Sequence, residues 1–265
     1  MSKLEISELA ITVVEPSSMQ SRVIRERLND MDVNNVHFYP DGQSALEMIK
    51  QHVPDLVISS MHLPDMTGTD LVLSLRNDEK LESVPFMLIS SDTSFASLDP
   101  IRQAGVVAIL PKPFEPADLK RALYSTVDLI VPDDQALADI PLNELHVLVV
   151  DDSFTARRHI CRVLNNLGIE DITTAENGKL AAEKLSESYF DLVVTDFNMP
   201  EMDGEALTRF IRQKSEQRAI PVLMVTSEES DSRLSAVQQA GVSGICDKPF
   251  EPSAVRHMIH SLLAG

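Results

Sequence analysis

The side chains most able to do chemistry are three aspartates, a threonine and a lysine in the second half of the chain. Each lies at the carboxyl end of a short apolar run: Asp151 and Asp152 after the first, Asp196 after the third, Thr226 after the fourth and Lys248 after the fifth. Carboxylates held close together repel one another, and a hard divalent cation offsets that cost. The set therefore predicts a Mg²⁺ (or Mn²⁺) site with room for a phosphoryl group, whose oxygens the lysine and threonine would contact.

The scaffold that must position these side chains occurs twice. Subtracting 136 from the number of almost any residue in the second half gives its counterpart in the first, without a gap over about 120 positions. Residues 248–252, Lys-Pro-Phe-Glu-Pro, match residues 112–116 letter for letter. The acidic positions differ, because Asp151, Asp152 and Asp196 correspond to Glu15, Pro16 and Ser60. One copy keeps the chemical site and the other has lost it.

Short apolar runs in the second repeat alternate with helical patterns, which predicts βα units and a parallel sheet. Predicted strands are His146–Val150, Asp191–Thr195, Ile220–Thr226 and Ser243–Cys246. Ser153 is placed to cap the first helix of this repeat, and Gly168 to end it. Because ligands of open parallel sheets bind at the carboxyl ends of the strands, the five polar residues should gather there.

Two α/β domains follow from the length and the repeat. We expect them at residues 1–129 and 145–265, each with five strands and five helices. Residues 130–144 contain Pro132, Pro141 and four acidic residues with little periodicity, which indicates a short linker. A helical turn over residues 135–138 is a further option.

Across residues 145–265 the second repeat resembles the receiver domain of two-component response regulators. Residues 149–158, Val-Val-Asp-Asp-Ser-Phe-Thr-Ala-Arg-Arg, are similar to the opening of single-domain chemotaxis regulators. The resemblance implies a flavodoxin-like (βα)5 fold with strand order 2-1-3-4-5 and a phosphoryl acceptor at Asp196. It also implies that Asp152, Asp196 and the main-chain carbonyl of Asn198 bind Mg²⁺, while Asp151 acts through water. Taken singly, each of these residues is an ordinary loop or strand-end residue, and only their joint occurrence carries the prediction.

The same resemblance makes Thr226 and Lys248 the switch pair. Members of the family usually carry an aromatic residue three positions before the lysine, and Ile245 stands there instead. An aromatic switch is therefore excluded, although an aliphatic side chain can still change rotamer. Glu228, two positions after the threonine, is either a residue that places or blocks water or a solvated acid at a helix start.

Residues 9–129 also resemble a receiver domain, but Ser60 stands at the acceptor position and Pro16 removes a metal ligand. No aspartyl phosphate can form there, and Glu15 alone should not hold Mg²⁺. Ser90 and Lys112 remain at the switch positions. Lys112 could pair with Glu15 or hydrogen-bond Ser60 and so lock one conformation, or the site could have drifted without a role. The first repeat is therefore predicted to be a pseudo-receiver.

Charge and composition limit the classes of partner that the protein is expected to bind. With 23 basic and 41 acidic residues the formal net charge is −18, which would repel nucleic acid. Glu5 and Glu8 interrupt the first apolar stretch, which argues against a signal peptide, and no uncharged run approaches the roughly 20 residues of a membrane span. We expect a cytoplasmic protein that contacts other proteins and binds neither nucleic acid nor membrane.

The leading hypothesis is a tandem-receiver response regulator rather than an enzyme, with at most weak self-phosphorylation and self-dephosphorylation. A histidine kinase or phosphotransfer protein would supply the phosphoryl group. Because no effector motif follows the second repeat, the output should be contact with a downstream protein, through about residues 231–263. The first domain would serve for docking or for dimerisation, which would give a homodimer. Alternatives are the regulatory N-terminal fragment of a larger enzyme such as a diguanylate cyclase, and a constitutive scaffold, which would not need the retained acidic cluster.

Overall fold

The fold was analysed in a computed structural model, which describes residues 4–92, 94–131, 141–227, 231–250 and 252–263. The chain forms two compact units, Met1–Pro132 and Asp133–Gly265. Each unit is one parallel sheet with helices on both faces. Among the described helices, none combines the length and the apolar character that crossing a membrane requires.

Five strands and five helices alternate in the first unit after a 3₁₀ turn at Ile6–Glu8. The strands are β1 Ile11–Val14, β2 Val36–Tyr39, β3 Leu56–Ser60, β4 Phe86–Ser90 and β5 Ala108–Pro111. The helices are α1 Ser18–Asn29, α2 Gly42–Gln51, α3 Gly68–Arg76, α4 Phe95–Gln103 and α5 Pro116–Ile130.

The second unit repeats this order after a 3₁₀ turn at Leu142–Glu144. Its strands are β6 His146–Val150, β7 Asp171–Ala175, β8 Leu192–Asp196, β9 Val222–Thr226 and β10 Gly244–Asp247. Its helices are α6 Phe154–Asn166, α7 Gly178–Glu187, α8 Gly204–Gln213, α9 Asp231–Ala240 and α10 Pro252–Leu263.

Both sheets have the predicted order. It is β2-β1-β3-β4-β5 in the first unit and β7-β6-β8-β9-β10 in the second, and all pairs are parallel. The register is also the same, since Val57 pairs with Phe86 in β3 and β4, and Val193 with Val222 in β8 and β9. The flavodoxin-like fold implied by the resemblance to receiver domains is confirmed in both copies.

Burial follows from the position of each strand. The central strands β3 and β8 are buried along their whole length, whereas the edge strands β2 and β7 are mostly half-buried or exposed. In the first unit, Val13 and Ile58 pack with α1 and α5, while Val14 and Val57 pack with α2, α3 and α4 on the opposite face. Alternate side chains of one strand therefore enter two cores, as a sheet covered on both faces requires.

Helix ends agree with the sequence signals. Ser153 caps α6 by accepting a hydrogen bond from Ala156 N at 3.2 Å. Gly168, just beyond the end of α6, has a φ of +97°, a left-handed conformation that favours glycine. Three strands differ from prediction by one or two residues at their ends, because hydrogen bonding rather than apolarity defines the ends. They are β8 Leu192–Asp196, β9 Val222–Thr226 and β10 Gly244–Asp247.

The predicted linker has regular structure at its described ends. Helix α5 continues through Ile130, and Leu142, at the other end, is only 8% exposed. An apolar residue that packs in this way extends the second unit slightly before residue 145. Residues 132–140, including the proposed helical turn at 135–138, lie outside the described part of the chain.

Candidate functional site: the carboxyl ends of the second sheet

The five polar residues of the second repeat lie at one edge of its sheet. Asp151 and Asp152 directly follow β6, Asp196 ends β8, Thr226 ends β9 and Lys248 follows β10. Since these strands are parallel and adjacent, their carboxyl ends meet at the same edge. The fold therefore brings together side chains that are up to 97 residues apart.

One lysine joins two of the acids. Lys248 Nζ lies 2.9 Å from Asp151 Oδ2 and 3.0 Å from Asp196 Oδ1. All three side chains are at most 3% exposed. The other oxygen of Asp151, Oδ1, accepts a hydrogen bond from Ser153 N at 2.8 Å. The cluster is therefore a buried ion-pair network with two carboxylates on a single ammonium.

This imbalance changes the acidity of each member. Burial raises the pKa of Asp196 to about 7; Lys248 opposes the shift, and the nearby charge of Asp151 adds to it. Burial likewise raises the pKa of Asp151, against the effect of Lys248. Burial alone would lower the pKa of Lys248, but the two carboxylates together raise it. The acids are therefore short of positive charge, while the lysine is held fully protonated.

The donor set fits a divalent cation. Asp151, Asp152 and Asp196 each offer a carboxylate oxygen, and these oxygens all lie within 4.8 Å of one another. Asp152 and Asn198 are exposed, while the Oδ2 atom of Asp196 is buried and, within the described part of the chain, has no hydrogen-bond partner. An unpartnered buried carboxylate oxygen is costly, and Mg²⁺ prefers such oxygen ligands. The residues present therefore suit Mg²⁺ or Mn²⁺.

Arg157 supports the acidic loop, although the sequence analysis did not assign it a role. Its Nη1 atom donates to Asp151 O at 2.6 Å and Asp152 O at 3.4 Å, and Nη2 contacts Glu176 Oε1 at 3.3 Å. The side chain is buried on the apolar face of α6, three residues before Ile160. An arginine at an apolar position of an amphipathic helix was the signal that could have identified it.

Gly204 is required because its backbone closely approaches that of Asp196. A Cβ atom at this residue would lie 2.2 Å from Asp196 O, and its nitrogen donates to Phe197 O at 2.9 Å. Gly68 repeats the arrangement, with 2.7 Å between a Cβ atom and Ser60 O. The start of α8, like that of α3, can therefore pack on the strand end only because the residue has no side chain.

The predicted switch residues surround the same edge. Thr226 is 1% exposed, and its carbonyl accepts a hydrogen bond from Lys248 N at 2.8 Å. Ile245 pairs with Met224 in the sheet and packs, partly buried, against a small cluster that includes Phe197. Glu228 lies outside the described residues.

In the first unit the counterparts form a closed, neutralised group. Lys112 Nζ donates to Glu15 Oε2 at 2.8 Å and to Ser60 Oγ at 3.1 Å, so it makes both of the contacts considered from the sequence. Ser60 Oγ also donates to Glu15 Oε2, and Ser17 N donates to Glu15 Oε1 at 2.9 Å. Burial alone would raise the pKa of Glu15, but hydrogen bonds from Lys112 and Ser60 lower it overall.

The two remaining counterparts lie beside this group. Ser90, at the first switch position, is 3% exposed; its hydroxyl accepts a hydrogen bond from Asp92 N and its carbonyl one from Lys112 N. Pro16 is exposed and offers no side-chain ligand. The first site thus has one carboxylate for one lysine.

Curated relatives match about half of the chain. Chemotaxis protein CheY1 of Helicobacter pylori is 38% identical over 120 residues, which are 45% of this chain and 97% of that protein. Chemotaxis protein CheY-3 of Vibrio cholerae is 36% identical over 118 residues, 44% of this chain and 91% of that protein.

Solved structures show the same kind of likeness. CheY4 of Vibrio cholerae has 31% identity and a TM-score of 0.42, and it covers 45% of this chain and 98% of its own. A structure described as a two-component system response regulator/GGDEF domain protein covers 96% of this chain and 99% of its own, at 20% identity and a TM-score of 0.43.

The family comparison covers most of the chain. The response regulator receiver domain matches twice, at residues 11–124 and 147–260. These two ranges contain the two sheets and both versions of the acidic edge. The chain therefore belongs to the response regulator receiver family, as a two-component response regulator with two receiver domains in tandem.

Proposed function

We propose that the protein accepts a phosphoryl group on Asp196, from a histidine kinase or a phosphotransfer protein, and signals through contact with another protein. The observation that carries the proposal is the state of the Asp196 carboxylate. Lys248 contacts one of its oxygens, while the other is buried beside two further aspartates and has no hydrogen-bond partner among the residues that the structure describes. Such an arrangement leaves excess negative charge at the end of a central strand, which a divalent cation would neutralise.

The transfer itself needs little from the protein besides position and charge. The Asp196 carboxylate attacks the phosphorus atom of a phosphohistidine; a P–O bond forms, the P–N bond breaks, and the imidazole nitrogen keeps the electron pair and takes a proton. Lys248 can move its positive charge from the carboxylate to a phosphoryl oxygen. Bound Mg²⁺ or Mn²⁺ would supply further neutralisation of the phosphoryl oxygens, held by Asp152, Asp196 and the main-chain carbonyl of Asn198, with Asp151 acting through water.

Phosphorylation would change the partners of the switch residues. A phosphoryl group adds about −1.5 to −2 charge and three acceptor oxygens. Lys248, now paired with Asp151 and Asp196, gains a stronger partner, and the Thr226 hydroxyl gains an acceptor. Lys248 directly follows β10, and Ile245 lies within β10, so the change reaches this strand and its neighbours α9 and α10. This surface is the proposed output, consistent with a shift of a pre-existing equilibrium.

The first domain, residues 1–129, is proposed to be a pseudo-receiver that serves for docking or for homodimerisation, followed by a linker at 130–144 and the phosphorylatable domain at 145–265. Its acceptor position is a serine, and Glu15, Ser60 and Lys112 satisfy one another. A group with balanced charge and shared hydrogen bonds has little reason to bind a cation or a phosphoryl group. The domain then has one state, which suits a fixed binding surface.

Intact-mass measurement tests the proposal. The full chain is incubated with acetyl phosphate and Mg²⁺, alongside Asp196→Asn and the matched control Ser60→Ala. We expect one base-labile phosphoryl adduct on the unmodified protein and on Ser60→Ala, and none on Asp196→Asn. Size-exclusion chromatography with and without beryllium fluoride then shows whether the output includes self-association.

Two outcomes would favour the alternatives. No adduct under conditions that modify an ordinary receiver would leave the constitutive scaffold as the better hypothesis, and an adduct retained by Asp196→Asn would place the acceptor elsewhere. The regulatory part of a larger enzyme, such as a diguanylate cyclase, shares the phosphorylation chemistry. The mass of the protein isolated from its source cells separates that alternative.

A further inference from the structure

A cleft of about 450 Å³ opens beside the degenerate site of the first domain. Helix α1 forms one wall with Ser18, Ser21, Arg22 and Arg25, and the end of β2 forms the other with Phe38 and Tyr39. Small-molecule sites commonly have volumes of about 300 to 1,000 Å³ and combine apolar walls with a few polar groups. Both the size and the mixed lining of this cleft fall within that description.

The difference between the repeats explains why there is room. At the position of Ser21 the second domain has Arg157, whose buried guanidinium reaches Asp151 O and Glu176. Ser21 Oγ makes the equivalent contact, to Glu15 O at 3.2 Å, with a much shorter side chain. Pro40 replaces Glu176, so the acidic partner is absent as well. The first domain therefore keeps the support of its loop but leaves the volume of an arginine side chain unfilled.

The charge of the cleft is positive. Within the described part of the chain, Arg22 and Arg25 make no hydrogen bond or ion pair, although the guanidinium of Arg25 lies 4.0 Å from the ring centroid of Phe38. Glu15, the one acid in the lining, is already neutralised by Lys112. Two unneutralised guanidinium groups therefore face the same opening in a chain whose net charge is −18.

The spacing of the polar residues suits an anion. Residues 18, 21, 22 and 25 follow the i, i+3, i+4, i+7 pattern, so they form one stripe on α1. Guanidinium groups recognise carboxylate and phosphate oxygens through paired N–H donors. The Ser18 hydroxyl adds one more donor, whereas the Ser21 hydroxyl already donates to Glu15 O. Phe38, which packs on the α1 face of the sheet, supplies the apolar wall opposite this stripe.

From these observations we propose that the first domain binds a small organic anion in this cleft: a phosphate or carboxylate group on an unsaturated ring. The anionic group contacts Arg22, Arg25 and the Ser18 hydroxyl, and the ring packs beside Phe38. The site is separate from the phosphorylation chemistry of the second domain. Binding would give the pseudo-receiver an input of its own, in place of the phosphoryl group that it cannot accept.

Titration of the full chain tests this site. Phenyl phosphate, benzoate and inorganic phosphate are added to ¹⁵N-labelled Asp196→Asn protein in EDTA, so that the acidic edge of the second domain contributes neither metal nor phosphoryl acceptor. We expect amide shifts at residues 15–25 and 38–40, with phenyl phosphate or benzoate binding at least ten-fold more tightly than inorganic phosphate. The stronger of these two probes identifies the anionic group.

Variants make the test specific. Ser21→Arg should fill the cleft as Arg157 does in the second domain and abolish binding, while Ser21→Ala leaves the cleft open and retains it. Arg22→Gln combined with Arg25→Gln should weaken binding at least ten-fold, whereas Arg158→Gln, at the position that corresponds to Arg22, should not. Binding that persists in Ser21→Arg, or the absence of shifts along α1 and β2, would overturn the proposal. Because the Asp196→Asn protein has no proposed phosphoryl acceptor, either result is independent of the phosphorylation proposed for the second domain.

Discussion

The two domains share one backbone design and differ in the charge balance at the end of its central strands. In the second domain Lys248 faces two buried carboxylates, and one oxygen of Asp196 has no partner in the described residues. In the first domain Lys112 faces one carboxylate, that of Glu15, and a hydroxyl group. A hydroxyl group at the position of the buried Asp196 carboxylate converts an unsatisfied site into a satisfied one.

The site proposed in the second domain carries an energetic cost that its counterpart in the first domain does not. Burial raises the pKa of Asp196, because the folded protein supplies too little positive charge for its anion. The pKa of Glu15 is lowered, because its hydrogen bonds outweigh the effect of burial. The second domain therefore gives up some stability in the absence of a cation, and a bound divalent cation would neutralise the negative charge that is left unbalanced.

Replacing the lysine of each site in turn should give the largest difference in stability between the two domains. Lys248→Met leaves two fully buried carboxylates without a cation, and we expect the free energy of unfolding of the second domain to fall by about 3 to 5 kcal/mol in EDTA at pH 8. Lys112→Met leaves only Glu15, which keeps its bonds from Ser60 and Ser17, and the expected loss in the first domain is about 1 to 2 kcal/mol. Urea unfolding followed by hydrogen exchange of peptides from each domain measures the two losses separately.

Mg²⁺ provides the control for the lysine pair. Added at millimolar concentration, it should restore part of the stability of Lys248→Met, because the cation takes the place of the ammonium, and it should leave Lys112→Met unchanged. Equal losses in the two domains, or recovery in both, would show that the acidic edges do not differ in charge balance.

Alanine at the two matched glycines is expected to give the next largest effect. A methyl group at Gly204 would lie 2.2 Å from Asp196 O, so Gly204→Ala must displace α8 or the strand end, at a cost of about 3 kcal/mol. Gly68→Ala meets Ser60 O at 2.7 Å and should cost about 1 to 2 kcal/mol. Isothermal titration with Mg²⁺ should show weaker binding for Gly204→Ala only. Unchanged binding in that variant would show that the start of α8 does not control the position of Asp196.

Neutralising one carboxyl group in each domain should give small effects of opposite sign. The pKa of Asp196 lies at about 7, above the 3.8 of an ordinary aspartate, so its contribution to stability falls as the pH rises from about 4 to 7. The stability of Asp196→Asn relative to the unmodified protein should therefore increase over that pH range. Above it, at pH 8 in EDTA, we expect the variant to be more stable by about 1 kcal/mol, because the lost pairing with Lys248 offsets part of the benefit. Thermal unfolding at a series of pH values measures the gap, and Asp152→Asn, which alters an exposed member of the cluster, is the control.

Glu15→Gln should behave in the opposite way. The lowered pKa of Glu15 means that its charged form stabilises the first domain at neutral pH, and this stabilisation disappears as the pH falls through the folded-state pKa. The variant should lose about 1 kcal/mol at pH 7, with the gap closing in acid. A loss of the same sign and pH dependence at both sites would contradict the proposed difference between them.

Most of the fold was predictable because the repeat doubles every signal. Runs such as Leu192–Thr195, apolar on successive residues, indicated strands covered on both faces, and the matching runs of the first half supported the same order. Boundaries were less accurate. The sequence gives no direct sign that Leu142 packs in the second unit or that α5 continues to Ile130, since both depend on tertiary contacts.

The residues of the candidate site could be predicted from the sequence, but the contacts between them could not. Asp151, Asp196 and Lys248 were expected at one edge because parallel strands end together, and the structure places them there. Their directions of pKa shift depend on burial and on which lysine reaches which oxygen, and neither can be read from spacing. Arg157 was missed for a similar reason: two of its contacts are to main-chain carbonyls, which are present at every residue, so only its place on the apolar face of α6 marked it in the sequence.

The identical strand register of the two sheets has a consequence for folding. Any strand of one domain is geometrically able to occupy the corresponding place in the other, so the unfolded chain must choose between native and exchanged pairings, a known source of misassembly in repeat proteins. Because the backbone geometry is the same in both cases, side-chain volume must distinguish native from exchanged pairings. Phe86 and Val222 occupy the same fully buried position of the register. Exchange of these strands would overpack one interior and leave a void in the other, so divergence between the repeats keeps each core with its own strands.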